Sequence, residues 1–189
     1  MTSMQRATAR RLLVSAFVVS AFVYYGIVPP PAAAATPVCN GLAATIVQAP
    51  GETAVHGTQG DDVIVALEGD VRIDARGGND VICAGPGDNI INAGAGDDWV
   101  QAGDGANVVD TGAGNTVVYA GSGDDMILGG SGSDVIYGGD GNNLLSTQGG
   151  DDVIVGGLGD DRIDGAKGFD TCYGGGGHDG IGHCEAGNP

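Results

Sequence analysis

The sequence predicts an all-β solenoid, and three observations predict it. From Gly57 the chain of 189 residues falls into nine-residue units with no insertion or deletion until Gly182, giving fourteen units. Position four of the unit is glycine in every copy, from Gly60, Gly69 and Gly78 through Gly159, Gly168 and Gly177. Position eight is aliphatic in thirteen copies, from Ile64 and Ile73 to Ile181, with Cys172 the exception. A fixed short period means that each unit buries its apolar face only against its neighbours, which is the logic of a repeat array.

Within a unit, positions one to six are mostly small, glycine-rich and acidic, whereas positions seven to nine are mostly β-branched, aromatic or aliphatic. That pattern predicts a six-residue turn followed by a three-residue strand. Alternation along the strand then turns position eight inward and positions seven and nine outward. The segment QAPGETAVH at 48–56 keeps Gly51 and Val55 in frame but has Thr53 at position six. It is expected to cap the array, so the organisation reads as a cap over 36–56, repeats over 57–182 and a tail over 183–189.

The first 35 residues have a different composition. Arg6, Arg10 and Arg11 precede an apolar run from Leu12 to Val28, and PPPAAAA ends in small residues at Ala33 and Ala35. This is the pattern of a secretory signal cleaved before Thr36; a retained anchor is the rival reading, the run being at the short limit for a membrane span. The general export route and the twin-arginine route both remain open for a start of this kind. Removing 1–35 takes away three of the seven basic residues and none of the 24 acidic ones, leaving a formal charge of −20. Such a charge excludes nucleic acid and anionic membrane as partners. Because the acids recur with the repeat and are not blocked into a tail, they point to a bound cation. All four cysteines follow the cleavage site, in a compartment that permits disulfides. Three connectivities are open; Cys39 with Cys83 and Cys172 with Cys184 would staple the two ends of the array. A zinc site from Cys172, His178, His183 and Cys184 is the alternative for the last pair, although its spacing matches no familiar ligand pattern.

Units such as GGSGSDVIY (129–137) and GGLGDDRID (156–164) resemble the haemolysin-type nonapeptide GGxGxDxUx of the RTX proteins, and the resemblance covers 57–182. It implies a right-handed parallel β-roll in which two successive units complete a coil and turns two units apart hold Ca²⁺ between them. The implied ligands are the position-six carboxylates Asp62, Asp80, Asp98, Asp125, Asp134, Asp152, Asp161, Asp170 and Asp179, with carbonyls of the glycine-rich turns. Asn89, Asn107 and Asn143 take the same position as weaker, uncharged ligands. Hard oxygens of this kind suit Ca²⁺, which accepts six to eight of them in flexible geometry. One edge of the implied roll would carry Asp62, Asp80, Asp98, Thr116, Asp134, Asp152 and Asp170. The other would carry Val71, Asn89, Asn107, Asp125, Asn143, Asp161 and Asp179. Binding is expected to be interrupted at Thr116 on the first edge and concentrated toward the C-terminal end of the second. Position two is not glycine at Thr58, Leu67, Arg76, Gln148 and Ala166, which puts the ideal turn in doubt there. The second acids at position five, such as Asp61, Asp97 and Asp124, read as solvated charges beside the sites.

The outward residues of one sheet, Trp99, Tyr119 and Tyr137 among them, look more apolar than those of the other. Contiguous exposed apolar strips mark contact surfaces, although Val and Tyr are favoured on any strand. Only 21 residues separate the expected cleavage site from the repeats, so no catalytic domain is expected. The function expected is a secreted bacterial calcium-binding repeat protein that folds on the ion. Its alternatives are a calcium-dependent adhesive or structural role at the cell surface, with self-association or a surface partner, and a non-catalytic accessory module of an enzyme or toxin. No membrane insertion is expected after cleavage.

Overall fold

The structure, a computed structural model, describes residues 35–185; the expected signal segment lies outside the described residues. Among the described residues there is no helix. A short antiparallel hairpin, β1 (Val38–Cys39) with β2 (Leu42–Ala43), precedes two parallel eight-stranded sheets. Consecutive strands alternate between the sheets, so that each strand pairs with the one 18 residues away: Val117 with Val135, Val118 with Ile136, Tyr119 with Tyr137. Two nine-residue units therefore complete one coil, and eight coils make a parallel β-solenoid.

The ladder begins earlier than the repeat frame does. Ile46–Val47 pairs with Val63–Val65, and Ala54–His56 pairs with Arg72–Asp74. The segment 48–56 is thus a working half-coil and not merely a cap, with Val55 buried in the core beside Ile73. Two strands are thereby added to the fourteen that the strict repeat defines.

The interior follows directly from position eight. Ile64, Ile82, Val100, Val118, Ile136 and Ile154 from one sheet face Ile73, Ile91, Val109, Ile127, Leu145 and Ile163 from the other, all essentially sealed from solvent. Position one adds small residues, Ala75, Ala93, Ala102 and Ala120, which let the two sheets approach. A strand of three residues offers one inward side chain, so no coil has a core of its own, and stability comes from stacking.

The ends are closed by specific residues. Thr45 Oγ1 accepts the Val63 N–H at 2.9 Å. At the other end the Glu185 carboxylate accepts the Asp170 N–H at 2.8 Å, and the Glu185 N–H donates to the Asp170 carbonyl. Cys39 is bonded to Cys83 and Cys172 to Cys184, so neither Cys172 nor Cys184 is free to ligate zinc. Each bridge ties an end of the solenoid to its body, restricting the fraying to which terminal coils are prone.

The outward faces differ less than the sequence implies. Trp99 and Tyr119 rings lie 5.7 Å apart, and Tyr119 stacks on Tyr137 at 5.0 Å. Yet the opposite sheet also exposes apolar side chains, Ile90, Val108, Met126, Leu128 and Leu144. Val63, Val81, Val117 and Val135, counted as outward on the first sheet, are half-buried by their stacked neighbours.

Candidate calcium-binding edges

The turns stack along the two edges of the roll, and glycine at position four makes that stacking possible. Gly114 has φ 125°, a conformation closed to residues with a Cβ, and a Cβ there would collide with the Gly96 carbonyl of the turn before it. At position two, Arg76 (φ 77°) and Ala166 (φ 62°) keep the left-handed turn despite their side chains. Thr58, Leu67 and Gln148 do not, so the turn changes shape at those three.

Position six is buried from Asp62 to Asp170 and half-buried at Asp179, and its side chains form an inner ladder. The Asp80 carboxylate accepts the Asp62 N–H through Oδ1 at 2.8 Å, Asp98 accepts from Asp80, Asp134 from Thr116, Asp152 from Asp134 and Asp170 from Asp152. On the other edge Asn89 accepts from Val71, Asn107 from Asn89, Asp125 from Asn107, Asn143 from Asp125, Asp161 from Asn143 and Asp179 from Asp161. One oxygen of each group thus reaches back to the preceding turn. Thr116 is too short to join and leaves its Oγ1 buried without a partner. Val71 turns into the hydrophobic core.

Position five forms a second, outer ladder that runs the other way. The Asp61 carboxylate accepts the Asn79 N–H at 2.8 Å, Asp97 accepts from Asn115, Asp124 from Asn142 and Asp160 from His178. These groups are neither idle solvated charges nor positioned inside the slots. They satisfy backbone donors of the next turn, and residues with a short oxygen, Asn79, Asn115, Ser133 and Asn142, do the same.

The second oxygen of the inner acids carries the functional signal. Oδ2 of Asp80, Asp98, Asp125, Asp134, Asp152, Asp161 and Asp170 is buried and has no hydrogen-bond partner. A buried carboxylate oxygen without a donor is costly unless a cation or a proton meets it. Burial pushes the Asp80, Asp98 and Asp125 carboxyls up to about 6 and Asp134 up to about 7, against the pull of the backbone N–H each accepts. Neighbouring carboxylates add to the rise, Asp62 and Asp61 at Asp80, and Asp152 at Asp134. Asp161 and Asp170 are also raised, again chiefly by burial. Asp62 differs, because its Oδ2 accepts from the Thr58 N–H and hydroxyl at 2.6 and 3.0 Å.

Among the described residues no three His, Cys, Asp or Glu side chains cluster as a metal site. That is consistent with slots in which one or two carboxylates meet main-chain carbonyls, a donor set that suits a hard cation such as Ca²⁺. Repeated glycine turns stacked in parallel, seven of which deliver a buried, unpartnered carboxylate oxygen, define a calcium-binding β-roll. The chain matches the family of the RTX calcium-binding nonapeptide repeat over 56–91, 84–118, 110–145, 119–154 and 146–181. It belongs to that family. No match was found among curated proteins.

Proposed function

We propose that this chain is a secreted, non-catalytic protein whose β-roll is completed by Ca²⁺. The observation that carries the reading is the row of seven buried, unpartnered Oδ2 atoms. Asp80, Asp98, Asp134, Asp152 and Asp170 would hold the ion on one edge, and Asp125 and Asp161 on the other, with Asp62 and Asp179 at slots near the two ends. Bound calcium supplies the positive charge that these oxygens lack. The chain supplies the order: glycine fixes the turn, the inner ladder orients each carboxylate, and the position-eight column holds the turns in register. Two disulfides fit an oxidising compartment, and external calcium lies in the range that extracellular modules bind, about 10⁻⁴ to 10⁻³ M.

The stacked Trp99, Tyr119 and Tyr137 rings support a second reading, a calcium-dependent structural or adhesive role through self-association. Equilibrium dialysis against Ca²⁺ with Mg²⁺ as competitor tests the first reading, and sedimentation of the same samples tests the second. Selective uptake of several calcium ions by a monomer supports ion binding alone. Uptake of none defeats the first reading, and a monomer at high concentration defeats self-association.

A further inference from the structure

Asp and Asn alternate at position six as if interchangeable, but the atoms that replace Oδ2 in the asparagines do not behave alike. Asn89 Nδ2 donates to the carbonyl oxygens of Gly85 and Gly87 in its own turn and of Ala102 in the next, each at 3.0 Å. Asn107 Nδ2 donates to Gly103 and Gly105, and Asn143 Nδ2 to Gly141. The orientation of each amide is dictated by chemistry, since Oδ1 faces a backbone N–H and Nδ2 faces carbonyls. Nδ2 and Oδ2 also occupy equivalent places. A Cβ built on Gly138 would lie 2.8 Å from Asn143 Nδ2, and one on Gly129, the corresponding residue of the neighbouring unit, 3.0 Å from Asp134 Oδ2.

The N-terminal turns of the same edge continue the pattern by other means. Gln48 Oε1 accepts the Leu67 and Glu68 N–H groups, and its Nε2 donates to the Glu52 and Glu68 carbonyls at 2.6 and 3.0 Å. Val71 fills its place with a core methyl pair. From residue 48 to residue 107, this edge therefore has no inner carboxylate, while the opposite edge over the same coils has Asp62, Asp80 and Asp98.

We propose that the amides of Asn89, Asn107 and Asn143 stand in for calcium, so that their three slots take no ion and the N-terminal half of this edge is a cation-independent seam. The proposal rests on the calcium reading above and restricts it. Carbonyl oxygens that face an Asp slot need a cation to hold them beside a carboxylate, whereas at Asn89 the NH₂ group already donates to them. For an ion to enter, the amide would have to turn away and leave a buried donor unpaired. The slots are thus set by the residue at position six of their N-terminal turn, and asparagine closes a slot that the sequence reads as merely weak. The seam would keep four stacked turns in register while the carboxylate slots fill.

The test compares calcium stoichiometry, by native mass spectrometry and calorimetric titration, for the wild-type protein, Asn89→Asp, Asn107→Asp and the reciprocal Asp125→Asn. Each Asn→Asp change should add roughly one bound calcium, and Asp125→Asn should remove roughly one. If the wild type binds calcium but Asn89→Asp and Asn107→Asp bind no more than it does, the asparagine slots already hold ions and the proposal is overturned. A wild type that binds no calcium defeats the underlying reading instead. Should Asn89→Asp fail to fold, Asp125→Asn decides alone, since an unchanged stoichiometry there also contradicts the amide substitution.

Discussion

In chelator the protein should be more stable at pH 5 than at pH 7.5, and in saturating calcium the order should reverse. An aspartate in the unfolded chain titrates near 3.9, whereas burial holds Asp80, Asp98 and Asp125 at about 6 and Asp134 at about 7 in the folded roll. Between these limits the folded state binds more protons than the unfolded one, so stability falls as pH rises through the window. The proton acts as a partial substitute for the ion at Oδ2. With calcium present, protons compete with the ion for the same oxygens, and acidification then removes stabilisation. Asp164 runs against the trend, its carboxyl held low by the His183 ring 2.7 Å away, but it is a single surface group. The β-structure signal at the two pH values, with and without calcium and across a denaturant series, checks the claim; pH dependences of the same sign in both conditions would contradict it.

Gly114→Val should abolish the calcium-dependent fold of the central coils. A valine at φ 125° carries backbone strain of about 1–3 kcal/mol, and its Cβ would meet the Gly96 carbonyl in the adjoining turn. The strained turn also lies beside Asp98 and Asp134, so the displacement spreads to both neighbouring slots. Surface substitutions usually stay within about 0.5 kcal/mol, and Ser133→Ala is expected to behave so, losing one long bond to the Asp151 N–H. Denaturant midpoints in saturating calcium compare the two; equal midpoints would show that position-four glycine is not required by the stacking.

The roll was legible because its two constraints act at one residue each. Position eight is the only inward residue of a three-residue strand, so its column of Ile, Val and Leu has to persist, and glycine at position four has to persist because a Cβ there would meet the carbonyl of the preceding turn. Strands that deviate from the repeat were harder to see. Ile46–Val47 has Leu42 where the repeat has its position-four glycine, and Ala54–His56 follows Thr53 in place of an acid, yet parallel pairing with the next coil suffices to order both. The outer ladder was not legible, since it joins exposed side chains to N–H groups 18 residues away and tolerates Asp, Asn or Ser alike. Nor was the role of asparagine. A sequence shows that Asn lacks charge, but only the placement of Gly85, Gly87 and Ala102 carbonyls shows that its nitrogen is already bound.

The same placement explains how a chain with a formal charge of −17 can stack carboxylates at all. Asn89 and Asn107 relieve one edge of charge where Asp62, Asp80 and Asp98 load the other, and the Cys39–Cys83 bridge ties those coils to the N-terminal hairpin. Repulsion is then concentrated in the C-terminal coils, where Asp134, Asp152 and Asp170 stack, buried, on one edge and Asp125 and Asp161 on the other. Those coils are expected to depend most on the ion.

The most direct measurement is far-UV circular dichroism at neutral pH during a calcium titration from chelator, with magnesium as control. The account predicts a cooperative gain of β-structure, selective for calcium and centred at roughly 10⁻⁴ to 10⁻³ M. Full β-structure in chelator at pH 7.5, unmoved by calcium, would contradict it, because the buried carboxylates would then be held without the ion.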